Sequence, residues 1–227
     1  MLKIPTLEEL LDAGVHFGHR ESKAHPKMRP FVFSVSNGVQ IINLEKTQIK
    51  LQEALNFIQD SVRQGKKMLL VGTKYQAQRI IREAAESAHI PYVTERWIGG
   101  TLTNFPVISK MAIKLKKMER DLEQGEFEKY TKKEQSQFKE EITRLQRIVG
   151  GLRDLEKMPD MVFVVDVKRE ETAMNEARKM GIPVIAIADT NVNPDKIDYP
   201  IPANDDGLKS LKMIIEIVAQ AVTDKED

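Results

Sequence analysis

The sequence predicts an α/β fold: a Rossmann-like open sheet of parallel strands, interrupted by an inserted α-helical hairpin. Three observations carry this. Short continuous apolar runs at 68–72, 161–165 and 184–188 have the length and composition of strands buried on both faces. Helical patterns over Gln76–Ala88 and Glu170–Met180 follow such runs, which is the alternation that builds parallel sheets through crossover helices. Between the β-prone run at 91–95 and the run at 161–165, a stretch over 105–157 has no strand signal and shows apolar residues at helical spacing.

The elements follow in order. Thr6 with Glu9 three residues on forms a capping box, Leu7, Leu10 and Leu11 supply an apolar face, and Gly14 closes a short helix. Two β-prone runs flank Asn37-Gly38, a strong hairpin dipeptide, and predict a hairpin at 31–44. Leu51, Leu55, Ile58 and Val62 recur at helical spacing before Gly65, predicting an amphipathic helix over Glu45–Gln64. In 105–157, the series Ile108, Met111, Leu115, Met118, Leu122 and the series Phe138, Ile142, Leu145, Val149 predict two long antiparallel helices with a break near Gly125. A last strand near Tyr199–Pro202 and a helix over Gly207–Val222 complete the chain. The domain reading is an α/β core from 1–104 and 158–227, carrying the first helix and the hairpin, with 105–157 as an inserted helical hairpin.

Composition narrows the classes. The chain has no cysteine, which excludes disulfides, thiolate metal sites and cysteine nucleophiles. The longest apolar runs fall far short of the roughly 20 residues of a membrane-spanning helix, and the first ten residues do not read as a secretory signal. The expected location is the cytoplasm. Net charge is only +1, yet it is unevenly spread. Arg63, Lys66, Lys67, Lys74, Arg79 and Arg82 are unopposed by any acid between them, while from Ala186 onward nine acids face four lysines.

Three clusters carry chemistry. His16, His19, Arg20, Lys23, His25, Lys27 and Arg29 lie together in a predicted loop, where cations suit phosphates and imidazoles suit unpaired bases or phosphate oxygens. A histidine metal site is the alternative, without the H-E-x-x-H spacing that would support it. Next, Trp97 opens WIGGTLTN (97–104), whose Gly99-Gly100 pair lacks the companions of a phosphate loop and reads as a turn into the insertion. Trp97 suits either a core-edge anchor or a partner-binding aromatic. Third, Asp189-Thr190-Asn191 and Asn204-Asp205-Asp206 each follow a strand, so both fall at the carboxyl edge of an open sheet, where ligands bind. Asp189, Asp205 and Asp206, with His19, are candidate ligands of a divalent metal ion. The plainer reading makes them helix caps and turn residues, Asp206 before the last helix above all.

With those residues on the page, LLDAGVHFGHR, WIGGTLTN, PDMVFVVDVKREETAMNEARKMGIPVIAIADTN and IDYPIPANDD, in this order, resemble the successive motifs of the bacterial S-two family of small-subunit ribosomal proteins. The resemblance runs from about Leu10 to Val222. It implies a flavodoxin-like α/β domain with a protruding coiled-coil hairpin, and a non-catalytic role requiring no cofactor and no small-molecule substrate. The implied partners are small-subunit ribosomal RNA and neighbouring ribosomal proteins at the junction of head and body, including the mRNA-binding protein S-one. On that reading Arg20, Lys23, Lys27, Arg29, Lys66, Lys67, Lys74, Arg79 and Arg82 meet phosphates, and Lys110, Lys114, Lys116 and Lys117 carry the hairpin's contact with RNA. Two other classes remain: an enzyme using the aspartate edge or the Gly99-Gly100 turn to hold a phosphorylated ligand, and a free-standing interaction module built on the helical hairpin.

Overall fold

The computed structural model describes residues 3–224. Helix α1 (Leu7–Asp12) begins at the capping box that the sequence spells out, with Thr6 accepting from the Glu9 amide and Glu9 accepting from the Thr6 amide. Strands β1 (Phe17–Arg20), β2 (Val32–Ser36) and β3 (Val39–Ile42) form an antiparallel sheet in the order β1-β3-β2. Asn37 and Gly38 both take positive φ, 51° and 75°, the backbone a tight hairpin turn of this hand requires.

The sequence predicts a loop over 16–29, and here the structure differs. Phe17–Arg20 is a strand and 3-10 turns follow it. Its four residues carry no apolar alternation. The strand exists because β3 offers an edge and because Thr190, far along the chain, accepts into it: the His19 amide donates to Thr190 Oγ1 at 2.9 Å. Gly18 is needed for that approach, since a Cβ there would lie 2.6 Å from Thr190 Cγ2.

The main sheet holds β4 (Met68–Val71), β5 (Tyr92–Val93), β6 (Met161–Val164), β7 (Val184–Ala188) and β8 (Tyr199–Pro202), all parallel, in the order β5-β4-β6-β7-β8. β5 is two residues long, shorter than the predicted 91–95, as suits an edge strand paired on one side only. Every residue of β4, β6 and β7 is buried. The period of two divides them. Met68, Leu70, Phe163 and Ile185 face one apolar cluster shared with α2 (Leu44–Arg63), α3 (Tyr75–Ser87) and α7 (Leu208–Thr223).

Leu69, Val71, Val162, Val164 and Ala186 face the opposite cluster, shared with α4 (Phe105–Glu123), α5 (Lys132–Val149) and α6 (Glu171–Lys179). Ile108, Ala112 and Leu115 of α4 meet Ile142, Leu145 and Val149 of α5 in this same cluster. The near half of the helical hairpin therefore belongs to the core. Its far end is closed by Phe138, which stacks on Phe127 with ring centroids 4.5 Å apart and meets the edge of Tyr130 at 5.2 Å.

Candidate nucleic-acid interface

The sheet order reverses direction between β4 and β6, so the loops after these strands frame the crevice where open α/β sheets bind ligands. Here the crevice is filled by the chain's own side chains. The Thr73 amide and hydroxyl, at the start of α3, both donate to Glu170 Oε1, at 2.7 and 2.6 Å. Burial pushes the Glu170 carboxyl up, against the pull of those donors. Arg169 Nε donates to the Thr73 hydroxyl at 2.9 Å.

Beside it, Lys74 Nζ lies 2.6 Å from Asp206, 2.9 Å from Asp205 and 3.3 Å from Asp166. Burial opposes its charge, but hydrogen bonds to Asp206 and Asp205 win and hold it firmly protonated. This corrects one expectation: Lys74 cannot reach RNA phosphates, because its ammonium is sunk among three carboxylates. Asp205 is pushed up to about 7 by burial and by the nearby Asp189 and Asp166. His19 places Nδ1 3.1 Å from Asp189 Oδ1 and Nε2 3.7 Å from Asp206 Oδ2. Its hydrogen bond to Asp189 raises its pKa, against burial.

His19, Asp205 and Asp206 each bring a ligand atom within 4.8 Å of the others, so all the sequence's metal candidates except Asp189 share one cluster. Lys74 already supplies positive charge at that point. A divalent ion held by His19, Asp205 and Asp206 requires Lys74 to withdraw from the two aspartates. The capping role expected of Asp206 is not taken: Gly207 is the N-cap of α7 and no side chain caps the helix, while Asn204 Oδ1 accepts from the Asp206 and Gly207 amides at 2.8 and 3.1 Å in a turn ahead of it.

Trp97 is the second correction. Its ring is buried in the cluster on the α6 face of the sheet, and Nε1 donates to Glu176 Oε1 at 3.1 Å, so it offers no surface to a partner. Glu176 also accepts from the amides of Gly100, Leu102 and Thr103 and from the Thr103 hydroxyl. Burial alone would raise its pKa, but these donors lower it. The WIGGTLTN loop is thus wound around one carboxylate. Its only advance signal was that a glutamate sat among the apolar positions of a helix, at a spot where a solvated face was not expected.

The model for the family described as ribosomal protein S2 matches residues 10–225. The chain belongs to this family. Relatives are named small ribosomal subunit protein uS2. That of Coprothermobacter proteolyticus is 48% identical over 221 residues, 97% of this chain and 82% of the relative. That of Dictyoglomus thermophilum is 46% identical over 221 residues, 97% of this chain and 90% of the relative. That of Borrelia duttonii is 44% identical over 227 residues, 99% of this chain and 89% of the relative.

The family is one of ribosomal proteins and not of enzymes, which directs attention to the cations. Arg20 at the end of β1 and Lys23 and Arg29 in the 3-10 turns after it are exposed, and none has an ion-pair partner among the described residues. Lys27 pairs with Asp195, and the His25 ring accepts from the Lys27 amide at 3.3 Å. His16 is half-buried against Phe17, with ring centroids 4.0 Å apart, and burial lowers its pKa. The unopposed run of cations over 63–82 is mostly answered in space: Arg63 by Asp60, Arg79 by Glu83, Arg82 by Glu95. Lys66 and Lys67 stay exposed at the opposite end of the sheet, with no ion pair among the described residues. On α4, Lys114 bridges to Glu141 of α5 and Lys116 to Asp154, each at 2.8 Å, while Lys110 and Lys117 project without a partner among the described residues. No helix of the described residues is long and apolar enough to cross a membrane.

Proposed function

We propose that the protein is a structural constituent of the small ribosomal subunit, binding small-subunit ribosomal RNA and neighbouring ribosomal proteins from the cytoplasm. Membership of the ribosomal protein S2 family carries this reading. The geometry supports it in two ways. Arg20, Lys23 and Arg29 leave the small sheet exposed and unneutralised, and Lys110 and Lys117 do the same on the helical hairpin, so two separated surfaces present cations to a polyanion. The Thr73 amide and hydroxyl at the sheet's switch point are meanwhile taken by Glu170, an arrangement that serves the fold.

The finer parts of the reading are a position at the junction of head and body and a share in holding the mRNA-binding protein S-one; these rest on the resemblance of the motifs. The test is sedimentation of a tagged copy from lysate. Co-migration with small subunits, abolished by a high-salt wash or by RNA digestion, is the expected result. A free pool indifferent to nuclease would overturn it.

A further inference from the structure

Helix α1 carries more apolar surface than the fold covers. Leu10 is buried in the core, and Gln48 Nε2 of α2 donates to the Pro5 carbonyl at 2.8 Å, which fastens the start of α1 to α2. Leu7 and Leu11, one turn apart on one row of the helix, remain 40% and 52% exposed. Past the helix end, Phe17 is 50% exposed and its ring lies against Gly14. The next row holds Glu8 and Asp12, again one turn apart, both exposed and without an ion pair among the described residues. Lys3, the cation nearest in sequence, is held by Glu9 at 2.9 Å.

A single exposed leucine is ordinary, but two in register beside an aromatic ring make a strip that a partner can cover. A polyanion does not suit it, because Glu8 and Asp12 stand unneutralised along its edge. A protein suits it if it brings cations, and proteins packed around an RNA carry them in excess. We propose that α1 docks a neighbouring protein of the small subunit, through a segment that sets aliphatic side chains on Leu7 and Leu11 and Lys or Arg against Glu8 and Asp12. The inference rests on the ribosomal reading above and assigns one of its protein-facing surfaces. The sign of its charge sets this surface apart from the exposed cations read above as RNA contacts.

Small subunits stripped of this protein by a salt wash provide the test, with the full chain added back. Rebinding by the wild-type chain checks the ribosomal reading by itself; failure to rebind would sink both. Given rebinding, the variant E8K/D12K decides between partners by sign. Against a basic protein segment it is expected to weaken rebinding about tenfold or more. Against RNA it would tighten rebinding and steepen the salt dependence. L7Q/L11Q keeps good helix formers and is expected to weaken rebinding about tenfold, with a near-native thermal midpoint. E8K/D12K alters exposed side chains only, so it decides the matter even where L7Q/L11Q costs stability. A photocrosslinker placed by substitution at Leu11 is expected to label a small-subunit protein, on a peptide holding Lys or Arg within a turn of aliphatic residues. Unchanged or tighter rebinding of E8K/D12K, undiminished rebinding of L7Q/L11Q, or labelling of RNA, of an acidic peptide or of this chain alone would each overturn the docking surface.

Discussion

Trp97 Nε1 donates to Glu176 Oε1 at 3.1 Å across 79 positions of sequence, one of five hydrogen bonds by which the loop after β5 is joined to helix α6. Glu176 gathers four further donors from Gly100, Leu102 and Thr103. Replacing it with Ala strands those donors in a buried place. Glu176→Ala is expected to lower stability by about 2–4 kcal/mol in urea unfolding. Emission of Trp97, the single tryptophan, should shift to the red in the folded variant as its ring gains water. An unshifted spectrum and an unchanged midpoint would contradict the role.

Lys74 is an internal cation. Without it Asp166, Asp205 and Asp206 face one another, while His19 and Lys23 still draw on Asp206. Lys74→Met is expected to cost about 3–5 kcal/mol, the range for breaking a buried pair by removing one partner. Added divalent metal should then restore part of the thermal midpoint, and should do so far less for the wild-type chain. Equal response of both chains would show that Lys74 does not hold the cation position.

The same cluster sets a pH dependence. The unfolded chain titrates Asp205 near its ordinary value of 3.8, whereas burial and the neighbouring carboxylates push it up to about 7 in the fold. The folded state therefore keeps a proton that the unfolded state gives up, and stability from this group falls as pH rises from 3.8 to about 7. His19 acts in the same sense: its pKa is raised in the fold, so its contribution is full below 6.5 and is lost as pH rises through the folded value. Glu176, lowered, opposes only at the acid end, losing its contribution as pH falls below 4.5. The urea midpoint is expected to decline between about pH 5 and about pH 8, and Asp205→Asn should flatten that decline. A midpoint rising over this range would refute it.

The helical hairpin separates into a root and a tip. Ile108, Leu115, Ile142 and Val149 cover the sheet's second face, so excising all of 105–157 would lay bare Leu69, Val71 and Val164. Shortening the tip to a tight turn, by deleting 121–138, leaves that face covered. The shortened chain is expected to fold with a near-native midpoint, yet to rebind stripped small subunits more weakly. Undiminished rebinding would remove the tip from the interface.

Cations that meet phosphates leave a salt signature. Each cation withdrawn from a phosphate should reduce the slope of log affinity against log salt by about 0.7–0.9. Lys110→Ala with Lys117→Ala is expected to flatten the slope by up to about two such steps. Lys114→Ala, whose ammonium already pairs with Glu141, should flatten it less.

Much of the fold was legible. Strands buried on both faces announce themselves as unbroken apolar runs, and 161–165 and 184–188 became β6 and β7 within a residue. Thr6 with Glu9 and Asn37 with Gly38 work through neighbours a few positions apart, so their signals survive in the linear chain. The meeting of Asp189 with Asp205 was also foreseeable, because strand ends in an open parallel sheet meet along one edge, whereas His19 reaches them from β1, outside that sheet.

Individual roles were not legible in the same way. Lys74 sits in a run of cations and looked like the rest, but its partner Asp205 lies 131 positions on, and burial among carboxylates turned a surface charge into a counter-ion. Trp97 stood open between anchor and docking aromatic until Glu176 settled it. Strand β1 depends on Thr190, which lies 171 positions from the His19 amide that it accepts from. The sequence by itself determined the elements, their alternation and the family, because periodicity, caps and turns act between near neighbours. Which charges face solvent and which are consumed inside was decided only by the tertiary structure, because desolvation and ion pairing depend on distance in space.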